Sequence, residues 1–325
     1  MEAASKKLAS RRRKLAAGAL LAAALAALAF AFMPRTRSAG ATPGSPRATS
    51  RLLAGTPLPS PRATVPSAPD PSGLAALPAA SLARLRQTPD LTQTDPALAL
   101  PGGGESHCAP VAVSNALMWL VSQGFDRLAP AGDSPAERQI ALTRLLSTHR
   151  FLGTNEQNGT GARSLLRGLH RYLEQTGHAY KRLRYQGWRA HSPRFATGVK
   201  TPEMSFIHEG LRDRSITLVN VGWYKPSKDL RFFARNGGHW MTVVGAGFDE
   251  RGAPAPDVIV LHDPAPYAGS EFAAEFARLE PLDGGWLSEL KTALPARGFY
   301  RLRGGMHVKR EGEMAVLDGV VALEL

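Results

Sequence analysis

Gly102-Gly103-Gly104-Glu105-Ser106-His107-Cys108-Ala109-Pro110-Val111-Ala112-Val113-Ser114-Asn115-Ala116-Leu117-Met118-Trp119-Leu120 contains the only cysteine of the 325-residue chain. Three glycines make a turn, and the residues after it make a helix. Val113, Ala116, Leu117, Leu120 and Val121 fall at i, i+3, i+4, i+7 and i+8, the stripe of a helix that buries one face. Pro110 lies in the first turn, where its missing N–H has no intrahelical partner to lose. Cys108 is therefore expected at the helix N-terminus, where the positive end of the macrodipole favours a thiolate over a thiol. A buried structural thiol fits this stretch equally well, because free cysteine is among the most buried residue types.

Two later stretches bear on that choice. Asn236-Gly237-Gly238-His239-Trp240-Met241-Thr242-Val243-Val244-Gly245 is a glycine turn feeding a strand that opens at His239. Asp257-Val258-Ile259-Val260-Leu261-His262-Asp263-Pro264 is an apolar strand stopped at Asp263 by a proline, which cannot continue the ladder. A cysteine on a helix start, a histidine about 130 residues on and then an acid follow the chain order of papain-type proteases. In such a set the thiol attacks, the imidazole holds and returns the proton, and the carboxylate orients the imidazole through its other ring nitrogen.

These motifs together resemble the papain-fold peptidase family thirty-nine, the bacteriocin-leader-processing peptidases and their secreted relatives. The resemblance spans roughly residues 100 to 325. It implies a papain-like α+β fold, with N-terminal helices and a nucleophile helix packed on an antiparallel sheet. It also implies Cys108 as nucleophile, His239 as general base and acid, and Asp263 as the orienting residue. The chain departs from the family twice: Ala109 replaces the usual Gly after the cysteine, and no Gln lies a few residues upstream for the oxyanion hole. The backbone of Cys108 with Glu105 or Ser106 is the nearest substitute, and His107 and Trp240 are candidates for lining a substrate site. The activity implied is hydrolysis of a peptide or amide bond through an acyl-enzyme. The alternative is a non-catalytic binding module that has lost the oxyanion donor.

The N-terminus points outward from the cytoplasm. Lys6, Lys7, Arg11, Arg12, Arg13 and Lys14 precede an apolar run from Leu15 to Met33. At about 1.5 Å per residue that run approaches the roughly 30 Å hydrocarbon core, and the basic flank places its start in the cytoplasm. Residues 1–33 thus read as a signal anchor, which the length favours, or as a signal peptide cleaved near Ala39-Gly40-Ala41. Either way the remainder is expected outside the cytoplasm, membrane-tethered or secreted. Residues 34–72 contain nine prolines and no aromatic residue, the composition of an extended spacer. Residues 73–100 form a lead-in with a short helix expected over Leu77 to Arg86, and residues 101–325 form the main domain.

Charge excludes one class of partner. Of 40 basic and 27 acidic residues, 11 and 2 lie in residues 1–72, so most of the net +13 belongs to the anchor and spacer. The domain is close to neutral, and no nucleic-acid partner is expected. A lone cysteine rules out an intramolecular disulfide. His107, Cys108, His239 and Asp263 lack the close spacing of a zinc site, and no Gly-Lys-Ser/Thr follows Gly102 to Gly104, so no metal or cofactor is expected. The partners expected are a peptide or protein substrate, with cell-wall peptide among the candidates, and the membrane through residues 15–33.

Further elements follow from periodicity. Helices are expected from Ser134, with Pro135 at the first position, to Thr148, from Ala162 to Thr176 and over Pro202 to Arg214. Strands are expected over Tyr180 to Trp188, Ser215 to Trp223, Gly298 to Arg303 and Ala315 to Glu324. Pro264 to Pro295 reads as an irregular insertion with a helix near Phe272 to Leu279. Asn220 and Trp223 read as core, and His262 is expected to point away from Asp263.

Overall fold

The computed structural model describes residues 77–265, 274–304 and 313–325. All belong to the second of two compact units, residues 63–325. The expected anchor and spacer lie outside the described residues. Among the described residues no helix is long and apolar enough to cross a membrane.

Among the described residues the unit has five α-helices and nine strands. The helices are α1 (Ala79–Gln87), α2 (Cys108–Ser122), α3 (Pro135–Ser147), α4 (Ala162–Gln175) and α5 (Met204–Glu209). The strands are β1 (Arg182–Gly187), β2 (Ser215–Pro226), β3 (Phe232–Phe248), β4 (Pro254–His262), β5 (Glu275–Pro281), β6 (Trp286–Glu289), β7 (Thr292–Pro295), β8 (Tyr300–Gly304) and β9 (Met314–Glu324). This is a mixed α+β protein with an antiparallel sheet, β3 and β6 being the one parallel strand pair among the described residues. Strands β2, β3, β4, β5, β8 and β9 pair in that order, and β9 returns to β2, closing a six-stranded barrel.

Strand periodicity separates two cores. In β2, Ile216 and Leu218 pack with the helices, whereas Val219 and Val221 pack inside the barrel. In β9, Val321 and Leu323 face the helices, and Val320 and Ala322 face the interior. Phe206 and Ile207 of the short α5 join the interior cluster. Helices α2 and α4, with Leu142 and Leu146 of α3, form a layer against Leu183, Tyr185, Ile216, Leu218 and Trp240.

Helix α2 is central to that layer. Every residue from Cys108 to Leu120 is buried, so the expected one-sided stripe is covered on all faces. Mostly small side chains (Ala109, Ala112, Ser114, Ala116) permit it. Thr242 of β3 donates its hydroxyl to the Ala112 carbonyl at 2.7 Å and ties helix to sheet.

The helix expected near Phe272 to Leu279 is corrected: its described part is strand β5, starting at Glu275. The alternation Glu275, Ala277, Leu279 inward, with Phe276 and Arg278 less buried, is a period of two, and Ala277 and Leu279 fill the barrel. The remainder of the expected insertion contains the β6–β7 hairpin, and the helix expected over Pro202 to Arg214 is limited to α5. Ser134 caps α3 as its position suggests, accepting from the Glu137 amide at 3.2 Å.

Candidate active site

A cleft of about 680 Å³ is lined by Cys108, His239, Gln93, Trp223, Asn220, the Gln157–Ala162 loop and the Arg189–Arg235–Glu289 cluster. Three elements deliver its central groups. Helix α2 presents Cys108 at its first residue, β3 carries His239, and Asp263 follows the last residue of β4. Strands β3 and β4 are paired, with Thr242 opposite His262, which brings His239 and Asp263 into reach of each other.

His239 Nε2 is hydrogen-bonded to Asp263 Oδ1, and the same imidazole hydrogen-bonds the Cys108 side chain. Nε2 being committed to the carboxylate, Nδ1 is the ring nitrogen left for the thiol. All three residues are buried: Cys108 is 8% exposed, His239 3% and Asp263 0%. Burial opposes a charge on His239, but the Asp263 carboxylate, its hydrogen bond and the Cys108 side chain outweigh it and raise the imidazole to about 10. Trp223 stacks on the ring at 5.5 Å between centroids and 20° between planes. Asn220 donates its amide to the His239 carbonyl at 3.2 Å. Asp263 is held in turn, its backbone N–H donating to Glu275 Oε2 at 3.3 Å and its Oδ1 accepting from the Ala265 N–H at 3.0 Å.

Other expected site residues sit differently. His107 is 2% exposed and does not line the cleft; it is the residue before α2, without a capping side-chain bond. Trp240 lies against the cleft but turns its ring into the helical core, donating its indole N–H to the Thr160 carbonyl at 2.8 Å. It fixes the Gln157–Ala162 loop, and Trp223 is the aromatic on the imidazole. Ser106 spends its hydroxyl on the Glu156 carbonyl at 2.5 Å, and Glu105 when ionised has only acceptors. Neither side chain offers a free donor. His262 faces away from the cleft, its Nδ1 donating to the Pro89 carbonyl at 3.1 Å.

Gln93, fifteen residues before the cysteine, is a cleft residue that the sequence reading missed. Its Nε2 donates to the Glu105 carbonyl at 2.6 Å, and its Oε1 accepts no hydrogen bond among the described residues. Flipping the amide would set Oε1 against the Glu105 carbonyl, so Nε2 keeps one further N–H. The glycine turn places it. Gly102, Gly103 and Gly104 all have positive φ, and a Cβ on Gly104 would fall 1.9 Å from the Gln93 carbonyl. The chain thus folds back on itself, and the fold is locked by the Gln93 N–H donating to the Pro264 carbonyl at 2.8 Å. The signal available in the sequence was the run of three glycines, which read only as a turn.

Cysteine and histidine thus line one cleft of an α+β barrel protein, the aspartate is buried behind the histidine, and the Gln93 amide belongs to the same lining. No protein-family model, curated protein or solved structure matches this chain.

Proposed function

We propose that the protein is an exported thiol hydrolase of papain-like architecture, acting on peptide or other amide bonds. The observation that carries this reading is the continuous hydrogen-bonded series Cys108, His239, Asp263 at a helix N-terminus open to a cleft. Cys108 Sγ, its proton held by His239, attacks the carbonyl carbon. The oxygen takes the negative charge and accepts hydrogen bonds from the Cys108 backbone N–H and from the Gln93 carboxamide. Collapse breaks the C–N bond, the amine leaves with the proton from His239, and an acyl-enzyme remains. His239 then takes a proton from water, whose oxygen displaces the thiolate and releases the acid. Asp263 keeps the imidazole in the orientation that both halves require. Gln93 at the cleft supports catalysis over the binding-module reading, whose motive was a missing donor.

The test is alkylation of Cys108 by iodoacetamide across pH in the full-length protein, beside His239→Ala. Rapid labelling of the folded protein, and loss of that rate in the variant, is the expected result. A thiol that labels only after denaturant is added is structural, and the hydrolase reading is then abandoned.

A further inference from the structure

One end of the cleft carries two arginines that the hydrolytic chemistry does not use. Arg235, on β3 four residues before His239, has a side chain only 9% exposed; its Nε donates to Asp318 Oδ2 at 2.6 Å and its Nη1 to Glu289 Oε1 at 3.1 Å. Its Nη2 lies over Gly238, where a Cβ would fall 2.1 Å from it. Arg189 donates to the other oxygen of Glu289. One carboxylate is therefore shared between two guanidinium groups in the cleft wall, and burial together with Arg235 lowers the Arg189 pKa.

The two acids balancing these arginines are held differently. Asp318 is fully buried and takes further hydrogen bonds from Tyr224 Oη at 2.5 Å and Trp188 Nε1 at 2.8 Å. It belongs to the barrel wall. Glu289 is 26% exposed in its side chain, which among the described residues is bonded to the two arginines alone. It ends β6, and the next residue, Leu290, is fully exposed at the hairpin tip with a left-handed φ of 51°. Strand pairing ties the hairpin to the sheet through Phe232 to Ala234 of β3, Leu287 anchors its base in a buried cluster with Tyr224, Phe233 and Val316, and β7 has no second neighbour among the described residues. Past that anchored base, the part-exposed Glu289 beside the exposed tip is the carboxylate that can leave.

We infer that Arg189 and Arg235 form a carboxylate-binding subsite of the cleft, that Glu289 fills it in the free protein, and that a peptide carboxylate takes its place. Exchange of one carboxylate for another keeps the buried charges balanced, so the incoming group does not strand an arginine. Two guanidinium forks on one anion select a planar carboxylate over the neutral amide of the same shape. The carboxylate is either an acidic side chain or a free C-terminus. The inference deepens the hydrolase reading by naming a feature of the substrate, but binding itself does not require Cys108.

The experiment is calorimetric titration of the full-length Cys108→Ala protein with four peptides: Ac-Ala-Ala-Glu-Ala-NH2, its Gln counterpart, Ac-Ala-Ala-Ala-OH and Ac-Ala-Ala-Ala-NH2. At least one carboxylate peptide is expected to bind about tenfold or more tightly than its amide partner, the worth of a charge-assisted pair. The pair that discriminates tells whether the source is a side chain or a terminus. Glu289→Gln is expected to tighten the carboxylate peptide several-fold and leave the amide unchanged, and Arg189→Gln to erase the discrimination. Arg189 is chosen because changing Arg235 would leave Asp318 buried without its partner. Equal affinities within both pairs in Glu289→Gln, including no measurable binding of either member, overturn the subsite. So does a Glu289→Gln protein that melts lower and gains no affinity, which makes Glu289 an anchor. Discrimination alongside an inert Cys108 keeps the subsite and removes the hydrolase reading.

Discussion

His239 sits under opposing pressures. Burial disfavours its charge, while Asp263 and Cys108 favour it, and the second side prevails, raising the imidazole to about 10. The proton bound there contributes stability that is complete below the ordinary value of 6.5 and is withdrawn as pH rises through about 10. Removing the Asp263 charge leaves the desolvation in place, so in Asp263→Asn the titration of His239, followed by NMR of 13C-labelled histidine, is expected about two or more pH units lower. A midpoint that does not move would show that Asp263 does not hold the proton. Gln93 is the second residue to test. With a peptide substrate in hand, Gln93→Ala is expected to cut kcat about 10² to 10³-fold with little change in KM, the usual cost of one oxyanion donor; a change in KM alone would make Gln93 a binding residue. Cys108, His239 and Asp263 were legible because each stands at an element boundary with its own punctuation, a glycine or proline beside it. Gln93 was not, because its nearness to Cys108 depends on a backward fold through three left-handed glycines, and linear spacing does not report that.

At the scale of elements, α1 shows how the lead-in becomes part of the fold. Residues 73–100 read as a segment lying on the domain, and α1 begins two residues after the expected Leu77. Leu77 and Leu85 pack on Val244, Phe248 and Val260. Arg84 is 8% exposed, donates to the carbonyls of Ser215 at 3.0 Å and of Leu211 and Arg212 at 2.9 Å, and lies 3.6 Å over the Trp119 ring of α2. One guanidinium therefore joins α1, the start of β2 and α2. Arg84→Met keeps the stem but leaves three carbonyls short of a donor, and a loss of about 3 kcal/mol is expected from urea unfolding at constant slope. Arg84→Lys should recover less than half, since an ammonium lacks the planar fork that reaches three carbonyls. A loss below about 0.5 kcal/mol in Arg84→Met, no more than a surface change costs, would mean that α1 is merely resting on the barrel. The helices α3 and α4 and the strand β2 were readable from period and caps. Strand β5 was not: Phe276 and Leu279 also fit helical spacing over so short a run, and only its place between β4 and β8 settles the period.

The whole molecule encloses ionisable groups whose environments pull in different directions, and this sets how its stability depends on pH. Glu275, at the start of β5, is raised to about 10 by burial first and then by the nearby Asp263 and Asp90 carboxylates, so it is neutral in the folded protein at pH 7. His262 is lowered to about 4 by burial, the Pro89 hydrogen bond opposing the shift, and is also neutral there. For His262 the stability is complete above 6.5 and is lost as pH falls toward 4. For Glu275 it is complete below 4.5 and is lost as pH rises toward 10, because the unfolded chain gives up a proton that the folded one keeps. Between 4.5 and 6.5 the two slopes oppose each other, and above 6.5 Glu275 and His239 act together. Each such proton is worth about 1.4 kcal/mol per pH unit. Urea unfolding from pH 5 to 9 is therefore expected to show stability declining on the alkaline side. In Glu275→Gln, where an amide oxygen can still accept the Asp263 N–H, that decline should be shallower by about 1.4 kcal/mol per pH unit, with the variant gaining on the parent as pH rises. Parallel curves would mean that Glu275 is ionised in the folded protein. Two neighbouring buried carboxylates, Asp263 and Glu275, would then both carry charge, and the cost of that pair would have to be met by other contacts of the barrel wall.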